Sequence, residues 1–141
     1  MYRGKWKNGV KEGPGQETFP DGTTFSGGFS KNLKNGSGKF FFENQCYFKG
    51  YFVDDIADGP ECEQKAEDYL FKGPCQDNDF HGPGRVIYYN DQKEPTEMYI
   101  GEFYEGLKHG YGEYTWDDGS SYKGEWDHGK IANKGVYIEG G

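Results

Sequence analysis

Apolar positions along this chain recur on two scales. Over five residues they alternate as ring, any, Gly, any, ring. The unit appears as Tyr2-Arg3-Gly4-Lys5-Trp6, Phe25-Ser26-Gly27-Gly28-Phe29 and Phe48-Lys49-Gly50-Tyr51-Phe52. It returns as Phe71-Lys72-Gly73-Pro74-Cys75, Tyr99-Ile100-Gly101-Glu102-Phe103 and Tyr122-Lys123-Gly124-Glu125-Trp126. Successive starts lie 23, 23, 23, 28 and 23 residues apart. Alternation with period two places the first, third and fifth positions on one face of a strand. A constant longer period marks a repeat array, in which each unit buries its apolar face against its neighbours.

The rest of the unit completes a hairpin. Counting from the first ring, position 8 is Gly9, Asn32, Asp55, Asn78, Gly106 or Gly129. These residue types tolerate the left-handed backbone of a tight turn. Position 12 is Gly13, Gly36, Gly59, Gly82 or Gly110, and position 14 is Gly15, Gly38, Gly84, Gly112 or Gly135, with Glu61 as the exception. A second strand follows, with Gly38, Phe40 and Phe42 sharing one face, and likewise Gly84, Val86 and Tyr88, then Gly112, Tyr114 and Trp116. Asp21-Gly22 and Asp118-Gly119 then turn the chain back, a strong hairpin signal. The expected fold is all-β: successive hairpins joined into one antiparallel sheet. Its other face is polar in the first strands, as at Arg3, Lys5, Lys123 and Glu125. Two strands per repeat at roughly 4.8 Å each give an array about 55 Å long.

Composition tests that expectation. A mean hydropathy of −1.04 with a net charge of −8 suits a disordered chain. Against it stand 12 Tyr, 11 Phe and 3 Trp, each able to bury a large area. Rings therefore replace an aliphatic core. No apolar run is long enough to cross a membrane as a helix, and no N-terminal segment reads as a signal peptide. An acidic chain lacks the Lys and Arg excess that neutralises phosphates or attracts anionic lipid, so nucleic acid is not an expected partner and membrane association is disfavoured. Cys46, Cys62 and Cys75 are odd in number and irregularly spaced, which argues against a disulfide framework or a zinc site and for a reduced, intracellular compartment.

Two copies break the pattern. In the third, the second strand would carry Glu61, Glu63 and Lys65 where others carry rings, and residues 53–68 hold seven acidic side chains against one Lys. Three readings fit: a degenerate solvated hairpin, an acidic edge for a basic partner, or a short helix over 61–70. An EF-hand loop starting at Asp54 fails, because Ile56 and Lys65 fall on ligand positions. The fourth copy has five extra residues around Asp91–Glu97, expected as a longer surface loop. Its Cys75 occupies a ring position and reads as a small buried hydrophobe.

Nothing in the pattern supports catalysis. His81 and His109 sit at equivalent turn positions, and no activated Ser or Cys is marked. The Gly-x-Gly pairs lie between strands and open no helix, so they lack the mechanism of a phosphate loop. No catalytic residue, cofactor or metal ligand is assigned.

Tyr2, Gly4, Trp6, Gly9, Gly13, Gly15, Asp21 and Gly22, repeated as Tyr99, Gly101, Phe103, Gly106, Gly110, Gly112, Asp118 and Gly119, resemble the MORN repeat (membrane occupation and recognition nexus). The resemblance covers essentially residues 1–141 as one array, with repeats at 2–24, 25–47, 48–70, 71–98, 99–121 and a partial copy at 122–141. It implies an elongated, twisted, single-layer antiparallel sheet with an aromatic groove. Members look like scaffolds and adaptors of cytoskeletal, ciliary, flagellar or membrane-contact assemblies, and as modules beside enzymatic domains. Some capture a helical or extended partner segment in the groove, some dimerise, and lipid binding is ascribed to others. A non-catalytic scaffold that holds a protein segment along the groove is the leading expectation. The rings expected to line it are Phe29, Phe40, Phe42, Phe52, Tyr88, Phe103, Tyr114, Trp116 and Trp126. Head-group recognition and self-assembly through end strands are the rivals.

Overall fold

A computed structural model describes residues 1–140, apart from the side chain of Asn133. The elements are strands β1 (Tyr2–Lys7), β2 (Val10–Thr18), β3 (Thr24–Ser30), β4 (Leu33–Phe41) and β5 (Tyr47–Val53). The two-residue β6 (Ile56–Ala57) precedes β7 (Gly59–Lys65) and β8 (Tyr69–Gln76), and the equally short β9 (Asp79–Phe80) precedes β10 (Gly82–Tyr89). Strands β11 (Pro95–Tyr104), β12 (Leu107–Thr115), β13 (Ser121–Asp127) and β14 (Lys130–Ile138) complete the chain. All belong to one antiparallel sheet whose strands follow chain order, with β6 paired to β5 and β9 to β8. The array of hairpins read from the period is therefore the fold.

The turn inside each repeat has two residues with positive φ, for example Asn8 (52°) and Gly9 (81°), or Asp77 (51°) and Asn78 (71°). Such turns match the right-handed twist of the flanking strands. The Asp-Gly turns between repeats are five residues long. Phe19 N–H donates to Thr23 O at 2.9 Å and Trp116 N–H to Ser120 O at 2.8 Å. The Asp21 and Asp118 carboxylates accept from the backbone N–H groups of Thr23 and Ser120, each at 2.9 Å.

Glycines face glycines across the sheet. Gly4 pairs with Gly15, Gly15 with Gly27, Gly27 with Gly38 and Gly38 with Gly50. After Cys62 the file resumes at Gly73 and continues through Gly84, Gly101, Gly112, Gly124 and Gly135. It is a slot, and the first ring of each repeat lies in it. A Cβ on Gly27 would sit 2.7 Å from the Gly38 Cα and 2.8 Å from the Phe25 ring. Phe25, Phe71, Tyr99 and Tyr122 are thereby fully buried in a sheet that has no second layer.

The third repeat departs by one residue. Gly59 faces Cys75, but Cys62 rather than Glu61 faces Gly73, so β7 carries a bulge between Gly59 and Cys62. A slip of one residue sends every later side chain to the other face. Cys62 and Gln64 consequently take the ring face, and Glu63 goes to the reverse face. The following turn is one residue shorter, closed by Ala66 N–H on Tyr69 O at 2.8 Å, which restores the period. The acidic segment is thus a strand and not a helix, and Glu61, Glu63 and Lys65 do not replace the rings.

Cys62 and Cys75 are both buried and form a disulfide, their Cα atoms 6.0 Å apart. This corrects the expectation drawn from spacing. A separation of 13 residues looks irregular in sequence, yet register places the pair on neighbouring strands. Among the described residues only Cys46 is a free thiol. The fourth repeat also differs from expectation. Its extra residues lengthen the hairpin, with Ile87 facing Met98 and Tyr88 facing Glu97, and the turn stays at five residues.

The core divides at this seam. One cluster holds Phe25, Phe29, Phe52 and Ala57, with Tyr2, Phe19, Phe40 and Phe48 packed on it. The other holds Phe71, Val86, Tyr99, Phe103, Tyr122 and Trp126, with Tyr69, Phe80, Tyr88, Tyr114, Trp116 and Ile131 around them.

Candidate functional site: an aromatic groove

The nine rings expected to line a groove fall in two tiers. Position 5 forms a floor: Phe29, Phe52, Phe103 and Trp126 are buried and belong to the two clusters. Positions 16 and 18 form an accessible tier. Phe40, Tyr88, Tyr114 and Trp116 are half-buried, and Phe42 is 43% exposed. The tiers touch edge to face, as in Phe40 against Phe52 at 5.8 Å. Within the upper tier the rings stack: Phe19 on Phe40, Phe40 on Phe42 at 6.1 Å, and Trp116 on Tyr137 at 6.3 Å.

Near the seam the tier opens into a groove of about 720 Å³, lined from Phe19 through Phe42, Phe48 and Phe52 to Gln64, Phe80 and Gly106. Ala57, where three other repeats have Lys, and Gln64, where Phe40 and Tyr114 stand in the second and fifth, line the groove at this point. The volume lies within the range of natural ligand sites. Asp21, Asp55 and Asp79 stand on its rim. Hydrogen bonds from Thr23 hold the Asp21 carboxyl below its ordinary value, so it stays ionised.

A row of lysines at position 10 shares this face. The Lys11 ammonium lies 5.2 Å from the Tyr2 ring and pairs with Glu17 at 3.0 Å. Lys34 lies 5.5 Å from Phe19 and Phe25 and pairs with Asp55 at 3.6 Å. Lys108 lies 5.5 Å from Tyr88 and Tyr99, 5.8 Å from Tyr114 and 5.9 Å from Trp126. Among the described residues no carboxylate lies within 4.0 Å of it. Nearby, Tyr114 donates to Glu97 at 2.6 Å, and burial with that bond pushes the phenol up. Sequence reading passed over these lysines and over Phe19, Phe48 and Phe80. Phe19 shares position 18 with Phe42 and Trp116, and position 10 repeats as Lys in three copies, so both signals were present.

The reverse face holds a second concavity of about 780 Å³ at the seam, with Lys39, Lys49, Lys72 and Glu63 around Cys62. Tyr47 donates a hydrogen bond to Glu63, which pushes the phenol up to about 12 and the carboxyl down. Lys72 stands 3.7 Å from the same carboxylate. This face is less polar than its first strands promised: Tyr51, Ile100, Tyr104 and Tyr111 are exposed on it.

Neighbouring repeats are stitched along their turns. Asn32 donates its N–H to Lys11 O at 3.1 Å and accepts Lys11 N–H on its side chain at 2.9 Å. Asp55 repeats this with Lys34, and Asn78 with Ala57. Position 11 likewise meets position 7 of the next repeat, in Glu12 with Lys31, Asn35 with Asp54, and His109 with His128.

Comparison with known proteins agrees with this architecture. The MORN repeat matches residues 2–24, 25–47, 99–121 and 122–138. Alsin of Rattus norvegicus is 31% identical over 145 residues, covering 97% of this chain and 9% of alsin, and alsin of Homo sapiens gives the same figures. Phosphatidylinositol 4-phosphate 5-kinase 1 of Oryza sativa subsp. japonica is 34% identical over 50 residues, covering 36% of this chain and 6% of that protein. The chain thus spans less than a tenth of the length of these relatives. Repeats of this kind are non-catalytic modules that mediate protein or membrane-lipid interactions.

Proposed function

The chain belongs to the MORN-repeat family, and from that premise we propose that it is a non-catalytic scaffold or adaptor that holds a partner protein segment along its aromatic groove. The observation that carries this reading is the accessible tier of Phe40, Phe42, Tyr88, Tyr114 and Trp116 above a buried ring floor, with no second layer over it. The buried Phe29, Phe52, Phe103 and Trp126 act in the proposal as the floor that fixes the upper rings. The upper rings are the contacts. Rigid rings bind apolar anchors with little entropy loss, which suits an interaction surface.

Charge gives the segment a polarity. Its basic residues face Asp21, Asp55 and Asp79, and an acidic residue reaches Lys108 in the fifth repeat. The assembly it serves is cytoskeletal, ciliary, flagellar or at a membrane contact, within the cell.

Affinity capture from a cell extract tests the reading, with wild type compared with Trp116→Glu after circular dichroism shows that the variant folds. A protein retained by wild type and lost by the variant supports groove binding. Equal retention by both moves the contact off the groove. Vesicle co-sedimentation that salt abolishes would favour head-group recognition instead, a reading that the similarity to the lipid kinase motivates and the net charge of −8 opposes. A second reading rests on β14, an edge strand on which Val136, Tyr137 and Ile138 are exposed. Such an edge pairs readily with another strand. Sedimentation velocity at several concentrations distinguishes self-association from a monomer.

A further inference from the structure

The chain has three histidines, and two of them meet. His109 lies on β12, Asp127 ends β13, and His128 opens the turn into β14. One donor atom from each lies within 4.8 Å of the other two. The Asp127 Oδ1 stands 3.7 Å from His109 Nδ1 and 2.5 Å from His128 Nδ1. The imidazole rings meet edge to face at 4.8 Å, and His109 also lies 5.6 Å from the Tyr104 ring.

We propose that His109, Asp127 and His128 form a binding site for a divalent transition-metal ion of the zinc class. Two imidazoles and one carboxylate are a donor set that such ions favour over magnesium or calcium, which take oxygen ligands. A tetrahedral ion with bonds of about 2.0–2.1 Å sets its ligand atoms about 3.3 Å apart. The separations of 3.7 and 2.5 Å from Asp127 Oδ1 lie on either side of that value, and with all three donors within 4.8 Å of one another the side chains must rotate to close on an ion. The backbone under it is already fixed. Gly129 N–H donates to Lys108 O at 2.7 Å, while His128 N–H donates to His109 Nδ1 at 3.2 Å, a bond that an ion taking Nδ1 replaces. All three side chains reach solvent, with exposures of 37%, 67% and 66%. An ion can therefore enter and keep open coordination positions for water. Binding would clamp the fifth repeat to the sixth through their turns, beyond what the groove reading requires.

Isothermal titration of zinc chloride into untagged full-length chain tests this. A Cys46→Ser background removes the free thiol as a rival ligand. The expected result is one ion per chain at pH 7.5, weakened at pH 5.5 because imidazole ligands bind metal only when neutral. His109→Ala and His128→Asn should each weaken binding by about tenfold or more, and His81→Ala should leave it unchanged. Asn suits the positive φ of 48° at residue 128, so that variant keeps the turn. Absence of saturable zinc binding would overturn the proposal. So would binding that persists in the double variant.

Discussion

The two aromatic clusters solve one packing problem with different mixtures of rings. On the N-terminal side the slot over the glycine file is filled by Tyr2 and Phe25, and in the C-terminal cluster by Phe71, Tyr99 and Tyr122. Phe25, Phe71, Tyr99 and Tyr122 are fully buried. The tyrosines also reach past the slot: Tyr99 donates to Glu102 O at 2.8 Å and Tyr122 to Glu125 O at 2.9 Å. Tyr2 does the same with Lys5 at 2.8 Å. The slot therefore requires a flat ring and tolerates a hydroxyl only because a backbone carbonyl of the same strand waits at its end. Between the clusters, Cys62 replaces a glycine of the file and Cys75 replaces a ring. Covalent linkage there stands in for ring packing, and the groove opens at the place where rings are missing.

Five measurements break or sharpen that contrast. The largest effect should come from emptying the slot. Phe25→Ala and Tyr122→Ala should each lower unfolding free energy by about 3–5 kcal/mol in urea titrations. A small loss at one site alone would mean that its cluster does not hold the sheet. Filling the slot from below comes next. Gly27→Ala places a methyl against the Gly38 backbone and the Phe25 ring, and should cost about 2–3 kcal/mol. The seam follows. Reduction, or the Cys62→Ala/Cys75→Ala pair, should cost about 2–3 kcal/mol through the loop that the bond closes, and should leave Phe25→Ala with its full effect.

The smallest difference is the hydroxyl itself. Tyr99→Phe should cost about 1 kcal/mol, whereas Phe25→Tyr should change stability little. The seam has its own hydroxyl at Tyr47, whose phenol is raised to about 12 by its bond to Glu63. Its folded value lies above the ordinary value of 10.0, so the contribution is complete below pH 10 and is lost as pH rises from there toward 12. Thermal melts across that window should fall more steeply for wild type than for Tyr47→Phe.

Much of the architecture was legible in the chain. Gly4, Gly27, Gly101 and Gly124 gave the file, and Asp21-Gly22 gave the outer turn, because each needs a local property of one residue. The seam was not legible. A single bulge exchanged Glu61 for Cys62 on the ring face, and a one-residue shortening of the next turn hid the exchange by keeping the repeat length. The added residues of the fourth copy went into strand pairs because Met98 and Glu97 found partners on β10. For the groove, sequence alternation placed all nine rings on one face but could not separate floor from upper tier. Depth on that face depends on what the neighbouring repeat lays over each ring.

The sequence by itself determined the repeat, the hairpin, the sheet and the ring face, because period and turn chemistry are local and recur in every copy. Only the tertiary structure decided which cysteines join, which rings stay open to a partner, and that His109 meets Asp127 and His128. Those outcomes depend on register between strands, where one residue of slip moves a side chain to the opposite face.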